Sequence, residues 1–466
     1  MIVDTSAYCY HCGQRLEGLD DVHQYCPHCG RVQMQFCPNG DHLVYLKDAI
    51  CRTCGAIFQY CSRCDRLHTL DARRCDNDCD APLNSFYDEW CGPLGGPSRR
   101  SAPEHLGTQP ITPLWADDTL EVEAEIRDVI CAHGVIFVST RGGAVHAYSQ
   151  RTGEPFWPAF PTHRDMNGPL ALDGNLLYFP TNRTVVGLDV GDGGVRFVHH
   201  TDLQDPLPLV NDGLLTLFGV DPHGQECLES CPLEVLSPEG ALRDEVKTFP
   251  LDVRVQGPSP RERDLWPVGA PEGVILVSAD FSLWRWTRQG GLTAVWRNPG
   301  GKPISQPMLH QGRLYFLGQY GEPVRLVLYQ VALDGSGAAR IELPEREQPP
   351  RALLALAGDR LFVPCAGGVS YRQVDQPQSV EGVCAMTPQA ALESLLAFSR
   401  GYDLRLVMAI TEGRNARAVV SWCDPSQRQE RLHPGVTASR PGVAYANGTV
   451  LHFERAEGRI YSFPMA

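Results

Sequence analysis

The chain has 466 residues, 43% of them hydrophobic and 21% charged, which excludes wholesale disorder. Its 41 Lys and Arg stand against 55 Asp and Glu, and the formal net charge of −14 argues against a general phosphate-binding surface. No run approaches the ~18 apolar residues that span a bilayer, so no membrane partner is expected. The amino-terminal MIVDTSAYCYHC has no basic segment leading into an apolar one, and the expected location is the cytoplasm. Only Lys47, Lys247 and Lys302 are lysine, the usage of a GC-rich bacterial genome; the arginine excess marks no site.

Cysteine is unevenly placed: 12 of the 18 lie in the first 91 residues. They fall as Cys9-x2-Cys12, Cys26-x2-Cys29, Cys37, Cys51-x2-Cys54, Cys61-x2-Cys64, Cys75-x3-Cys79 and Cys91. A gap of two or three residues lets two thiolates from one tight turn reach the same tetrahedral ion, about 2.3 Å from each sulfur. Without an export signal this spacing favours metal over disulfides. Three structural zinc ions are expected. Cys9, Cys12, Cys26 and Cys29 form the first set, and Cys37, His42, Cys51 and Cys54 the second, with water or Asp41 as the alternative to His42. Cys61, Cys64, Cys75 and Cys79 form the third, where His68 or Cys91 can replace one member. Each set fills its own shell, whereas a catalytic zinc keeps a position open. The glycine after the second cysteine in YCYHCG and YCPHCG resembles the rubredoxin-like knuckles of zinc ribbons.

These sets divide the amino-terminal part into three ribbons, 1–33, 34–58 and 59–91. Nine Gly or Pro within residues 92–114 resist both helix and strand, so 92–118 reads as a linker.

From 119 to 466 the sequence turns to short β-rich runs. An apolar run recurs eight times: GVIFVS (134–139), NLLYFP (175–180), GLLTLF (213–218), GVILVS (273–278), GRLYFL (312–317), DRLFVP (359–364), LRLVMAI (404–410) and GTVLHF (448–453). Most starts are about 40–45 residues apart, the length of one four-stranded propeller blade. The long step between the third and fourth runs predicts an insertion near 219–233 or 254–266. Residues 387–399, TPQAALESLLAFS, are the exception, predicted as a short helical turn. The fold class is therefore mainly β: a zinc-ribbon array followed by an eight-bladed, alternatively seven-bladed, β-propeller of four-stranded antiparallel blades. LEVEAEI at 120–126 alternates as a strand and is expected to complete the last blade, which has only three strands of its own.

GVIFVSTRGGAVHAYSQRTGEPFW closely resembles the repeat of pyrroloquinoline-quinone-like propellers, in which glycine turns and a terminal tryptophan brace adjacent blades. Trp157 and Trp296 match that tryptophan, and Thr152-Gly153, Asp192-Gly193, Glu239-Gly240, Gln289-Gly290 and Asp334-Gly335 match the turn. The resemblance invites a quinone-dependent dehydrogenase. Against it, there is no adjacent cysteine pair, and no GxSxG, GxxxxGK[ST] or HExxH occurs.

Other residues attract weaker readings. His223, Cys227 and Cys231 have an H-x3-C-x3-C spacing that lacks a fourth ligand, while Cys131, Cys365, Cys384 and Cys423 read as core. His163-Arg164-Asp165 and His199-His200 fall near predicted turns. Trp284 and Trp286 alternate on one strand and point to a seam between blades.

Residues 1–100 hold ten Lys and Arg against 13 Asp and Glu, the wrong sign for phosphate. The expected function is a non-enzymatic scaffold binding protein partners in a bacterial signalling or defence assembly. A nucleic-acid adaptor acting through the ribbons is the alternative.

Overall fold

The computed structural model describes most of residues 119–464, leaving out 163–168, 239–245, 255–266, 344–352, 387–390, 423–428, 432–435, 438–440 and some shorter breaks. Before 119 it describes 7–8, 15–16, 25–27, 34–38, 40, 42–45, 51, 53–54, 58–60, 66–69 and 75. The linker 92–118 lies outside the described residues.

Each of the eight apolar runs forms the second strand of an antiparallel sheet. Val135–Thr140, Leu214–Val220, Gly273–Val277 and Thr449–Glu454 are buried at every position. A strand covered on both faces has no solvent side, which is why these runs are continuous rather than alternating.

Among the described residues eight sheets of four or five strands follow one another as blades 1 to 8: 126–161, 171–200, 204–254, 268–296, 302–342, 355–385, 391–437 and 441–464. Separate buried clusters fill the seams between blades 2 and 3, 3 and 4, 4 and 5, 5 and 6, and 6 and 7. The largest cluster joins blades 7, 8, 1 and 2 and so completes the circle. The first strands of neighbouring blades approach one another, as Gln204–Asn211 does Val268–Ala270 and Pro441–Ala446 does Ile126–Ala132, placing them around the axis. Among the described residues eight such sheets are counted.

The ring is closed by a strand that precedes blade 1 in the sequence. Thr119–Glu121 pairs antiparallel with Arg459–Pro464, in the register Arg459↔Glu121, Ile460↔Leu120 and Tyr461↔Thr119. Next to this ladder the Val122 N–H donates to the Gly458 carbonyl at 2.6 Å, and Ile126 N–H to the Arg455 carbonyl at 2.8 Å. Gly458 has φ +66°, and a Cβ there would lie 2.2 Å from the Val122 carbonyl oxygen, so only glycine lets the chain cross. The expected strand 120–126 is shorter in fact, because Ile126 already opens the first strand of blade 1.

Seams between blades are braced by aromatic side chains. Trp157, in the last strand of blade 1, donates its indole N–H to the Val190 carbonyl of blade 2 at 3.2 Å. Its ring covers Gly193, where φ is +71° and a Cβ would sit 2.8 Å from Trp157 Cδ2. Trp296, at the end of blade 4, packs on Phe316 and Tyr329 of blade 5, with ring centroids 5.7 and 5.3 Å away. Trp284 and Trp286 are buried against Leu207, Leu214 and Phe218 of blade 3, the expected seam position. The glycine turns recur at Gly153, Gly193 and Gly335, but in Gln289-Gly290 it is the next residue, Gly291, that has positive φ. Glu239-Gly240 lies outside the described residues.

The helical turn predicted within 387–399 is a strand instead, Ala391–Arg400, the first of blade 7. A bulge between Leu392 and Ser394 shifts its register. The extra residue puts Leu392 on the side of Leu395 and Ala397, facing blade 6, while Leu396 joins the cluster on the other side. That i, i+3, i+4 spacing of leucines imitates a helix. Of the two places expected for the insertion, 219–233 is regular, occupied by Leu214–Val220 and Gln225–Pro232. Residues 255–266 lie outside the described residues.

Removing Thr119–Glu121 strips a buried leucine and a row of backbone hydrogen bonds, and should lower the melting temperature by roughly 5–10 °C. An unchanged melting temperature would mean that this strand does not close the ring.

Glu454 of the closing blade is fully buried, with one carboxyl oxygen accepting from the Tyr461 hydroxyl at 3.1 Å and the other without a partner among the described residues. Burial pushes its carboxyl above the ordinary range, and the negative charge of Glu457 adds to the effect. The folded protein therefore keeps this proton where the unfolded chain has lost it, and stability falls as pH rises through the raised value. Glu454→Gln removes that loss, so its melting temperature should gain on the wild type as the pH rises above the ordinary carboxylate range, about 4. A difference independent of pH would show that the carboxyl titrates normally.

Candidate metal centre

Met34–Phe36 and Leu43–Tyr45 pair as a short hairpin ending at Phe36↔Leu43. The next residue outward on each arm is a candidate ligand, Cys37 on one and His42 on the other. Cys37 N–H donates to the His42 carbonyl at 2.9 Å, and Gly40 N–H to the Cys37 carbonyl at 3.1 Å, forming the tight knuckle. A Cβ on Gly40 would lie 3.0 Å from the His42 ring, so a bare backbone there leaves the imidazole its place. Cys51 and Cys54 approach from the following turn. A second hairpin, Phe58–Tyr60 with Leu67–Thr69, is tied to the first by Leu67 N–H donating to the Gln35 side-chain oxygen at 3.0 Å.

The four ligand atoms of Cys37, His42, Cys51 and Cys54 lie within 4.8 Å of one another. Cys37 Sγ and Cys54 Sγ are 3.6 Å apart, near the edge of about 3.7 Å for a tetrahedron with metal–sulfur distances of about 2.3 Å. His42 Nε2 is 2.9 Å from Cys51 Sγ, shorter than the nitrogen–sulfur edge of about 3.5 Å. A small outward movement of the imidazole would admit an ion. Cys37 and Cys51 are buried, His42 is half-buried and Cys54 is exposed. Four donors close the shell, and three sulfurs with one nitrogen suit a soft-to-borderline divalent metal.

This is the second of the three expected ligand sets, with His42 brought beside the three cysteines, while its alternative Asp41 lies outside the described residues. Of the first set, Cys26 is described and buried; of the third, Cys75 is described and buried. Cys9, Cys12, Cys29, Cys61, Cys64, Cys79 and the alternative ligand Cys91 lie outside the described residues. His68, the other alternative, is a buried member of Leu67–Thr69. Cys37, Val44, Cys51, Phe58 and Leu67 belong to the same buried cluster as residues of blades 7, 8, 1 and 2.

His223, Cys227 and Cys231 do not form another centre. Cys227 and Cys231 are four residues apart on the extended strand Gln225–Pro232, about 13 Å along it, too far for one ion. Burial, with Asp221, Glu226 and Glu229 nearby, pushes the Cys227 thiol up to about 11, and a protonated thiol is a poor ligand. Cys131, Cys365 and Cys384 are buried core residues, and Cys423 lies outside the described residues.

His199 and His200 lie within the strand Val195–His200 and not in a turn. His199 is buried at the seam of blades 2 and 3, where its Nε2 meets a Glu229 carboxyl oxygen, and Thr201 donates to the other at 2.9 Å. His200 faces outward and meets the Thr184 hydroxyl at 3.2 Å. His163-Arg164-Asp165 lies outside the described residues.

Two solved structures share the ring. The computationally designed Ika8 protein is 13% identical, with a TM-score of 0.53 over 77% of this chain and 100% of its own. BamB from Moraxella catarrhalis is 14% identical, with a TM-score of 0.50 over 77% of this chain and 97% of its own. The chain folds as a β-propeller. At such identities the likeness shows the fold alone. No protein-family model matches the sequence, and no curated protein matches it.

Cys51→Ser removes a buried sulfur from the set, and should lower the metal content of the full chain by one ion. The cobalt-substituted protein should also lose thiolate-to-metal absorption in the near ultraviolet. Unchanged content and spectrum would show that this cluster holds no metal.

Proposed function

We propose that the protein is a non-enzymatic scaffold that holds a protein partner on the propeller while a zinc-ribbon array makes a second contact. The observation that carries this reading is the donor set Cys37, His42, Cys51 and Cys54, which fills a tetrahedral shell and leaves no position for substrate. Tyr25 and Phe36, each immediately before a knuckle cysteine, are 59% and 64% exposed. Large exposed aromatics are the side chains that dominate binding energy at protein interfaces.

On this reading the metal is zinc, and three ions are bound by the sets built on Cys9, Cys37 and Cys61. The protein works in the bacterial cytoplasm, within a multi-protein signalling or defence assembly. The acidic balance of the chain favours a partner with basic patches, and disfavours the adaptor reading in which the ribbons bind nucleic acid. The quinone-dependent dehydrogenase reading has only the repeat resemblance behind it.

Affinity capture with the full chain should recover a defined protein partner, and Tyr25→Ala with Phe36→Ala should reduce the recovery at least about tenfold, as loss of two anchors implies. Recovery of nucleic acid in its place would favour the adaptor, and turnover of an alcohol with added quinone cofactor would overturn the scaffold.

A further inference from the structure

Ten of the 18 cysteines fall among the described residues, and nine of those ten are buried; Cys54 alone is exposed. It belongs to the donor set of the candidate metal centre, so the one solvent-facing thiol among the described residues is also a candidate ligand. Oxidation of cysteine follows thiolate character and exposure, and a thiolate that water reaches is open to small oxidants as well.

The same set supplies a second thiol. Cys37 Sγ lies 3.6 Å from Cys54 Sγ, and Cys37 is buried. A disulfide holds its sulfurs about 2.05 Å apart, so a closing movement of about 1.5 Å joins them. Cys37 is pinned at the end of the hairpin by its N–H bond to the His42 carbonyl, whereas Cys54 sits in the turn at 53–54. The movement therefore falls on Cys54. Cys51, the third sulfur of the set, is engaged elsewhere, with its Sγ 2.9 Å from His42 Nε2.

A bound ion and a Cys37–Cys54 bond exclude each other. Around an ion the two sulfurs stand about 3.7 Å apart as thiolates; in the disulfide they are about 2.05 Å apart and neither keeps the charge that holds a divalent metal. What remains, His42 and Cys51, is half a shell.

We propose that Cys54 is an oxidant-sensitive thiol whose product is a disulfide with Cys37, and that forming this bond expels the ion from the set. The oxidant is a hydroperoxide, hydrogen peroxide in the simplest case. The Cys54 thiolate attacks one peroxide oxygen, the O–O bond breaks, hydroxide leaves, and Cys54 becomes a sulfenic acid. The Cys37 thiolate then attacks the Cys54 sulfur, the S–O bond breaks, and a second hydroxide leaves. Two sulfurs have given up two electrons, one peroxide has taken them, and two protons from solvent convert the hydroxides to water. The bond ties the hairpin arm to the turn that follows it, the segments that the ion would join, and a thiol reductant reverses the exchange. Only the expulsion of the ion rests on the metal reading; the disulfide rests on the two thiols.

The test treats the full chain, as purified, with a few equivalents of hydrogen peroxide. Tryptic mass spectrometry without reduction should find fragment 32–47, which carries Cys37, joined to fragment 53–63, with tandem spectra placing the bond on Cys54 and not on Cys61. A chromophoric chelator should report loss of an ion in step with that bond, and tris(2-carboxyethyl)phosphine with added zinc should restore both thiols and metal content. Cys131, Cys365 and Cys384 are buried, and should remain free thiols at the same dose. Cys54→His keeps four donors but no sulfur at the exposed position, so it should release one ion fewer per chain over the same time. Cys54 left as a free thiol, Cys54 bonded to Cys51 or Cys61 in place of Cys37, a bond formed with the ion retained, or a Cys54→His protein that releases its metal like the wild type would each overturn the inference. A chain that forms the bond but carries no ion beforehand would uphold the disulfide while contradicting the metal reading and, with it, the expulsion.

Discussion

Three backbone pairs between Thr119–Glu121 and Arg459–Tyr461 carry the closure of the ring. Blade 8 has three strands of its own, and without the fourth its outer edge would expose a row of unpaired N–H and C=O groups. The pairing also holds the first residues of the propeller beside the last. Leu120, Val122 and Ile126 then join Val450, Leu451 and Ile460 in one buried cluster, and residues of the candidate metal centre and its hairpins belong to that same cluster. Closure, the seam between the end blades and the candidate metal centre therefore draw on one cluster.

The other seams are held by side chains whose chemistry differs from blade to blade. Between blades 1 and 2 a single tryptophan covers a glycine turn; between blades 4 and 5 an aromatic trio of Trp296, Phe316 and Tyr329 fills the space. Between blades 2 and 3 the buried pair of His199 and Glu229 supplements the apolar contacts, with Thr201 satisfying the second carboxyl oxygen. A buried pair of this kind adds little net stability against an apolar equivalent, but removing one member strands the other. It fixes how the two blades meet. The seam of blades 3 and 4 departs from this pattern, because Trp286 and Thr216 are buried without satisfying each other, and a cleft of about 850 Å³ lies there.

What was legible in the sequence was whatever repeats or acts locally. The eight apolar runs are eight second strands, because a strand buried on both faces writes an uninterrupted hydrophobic stretch. Cys37, His42, Cys51 and Cys54 fall within 18 residues and could be grouped by spacing alone, since a knuckle needs only one tight turn. Trp157 could be picked out because the first repeat retains its glycine turn. The leucines of 392–396 misled for a local reason as well: one bulged residue converts strand alternation into a helical spacing. His223, Cys227 and Cys231 misled because spacing says nothing about an extended backbone, which carries every fourth residue about 13 Å away. The cleft and the buried Glu454 were not legible at all. Thr216 and Trp286 are 70 positions apart, and the closing strand meets Glu454's blade across more than 300 residues. Only the circular order of the blades brings them together.

The account stands or falls on closure, and amide hydrogen exchange of the full chain reads it directly. If the ladder forms as described, the amides of Arg459–Tyr461 and of Thr119–Glu121 that donate across it will exchange as slowly as those in the outer ladders of the other blades, and the two segments will lose protection together on mild destabilisation. Rapid exchange of Thr119–Glu121, with Arg459–Tyr461 behaving as an open edge, would contradict it.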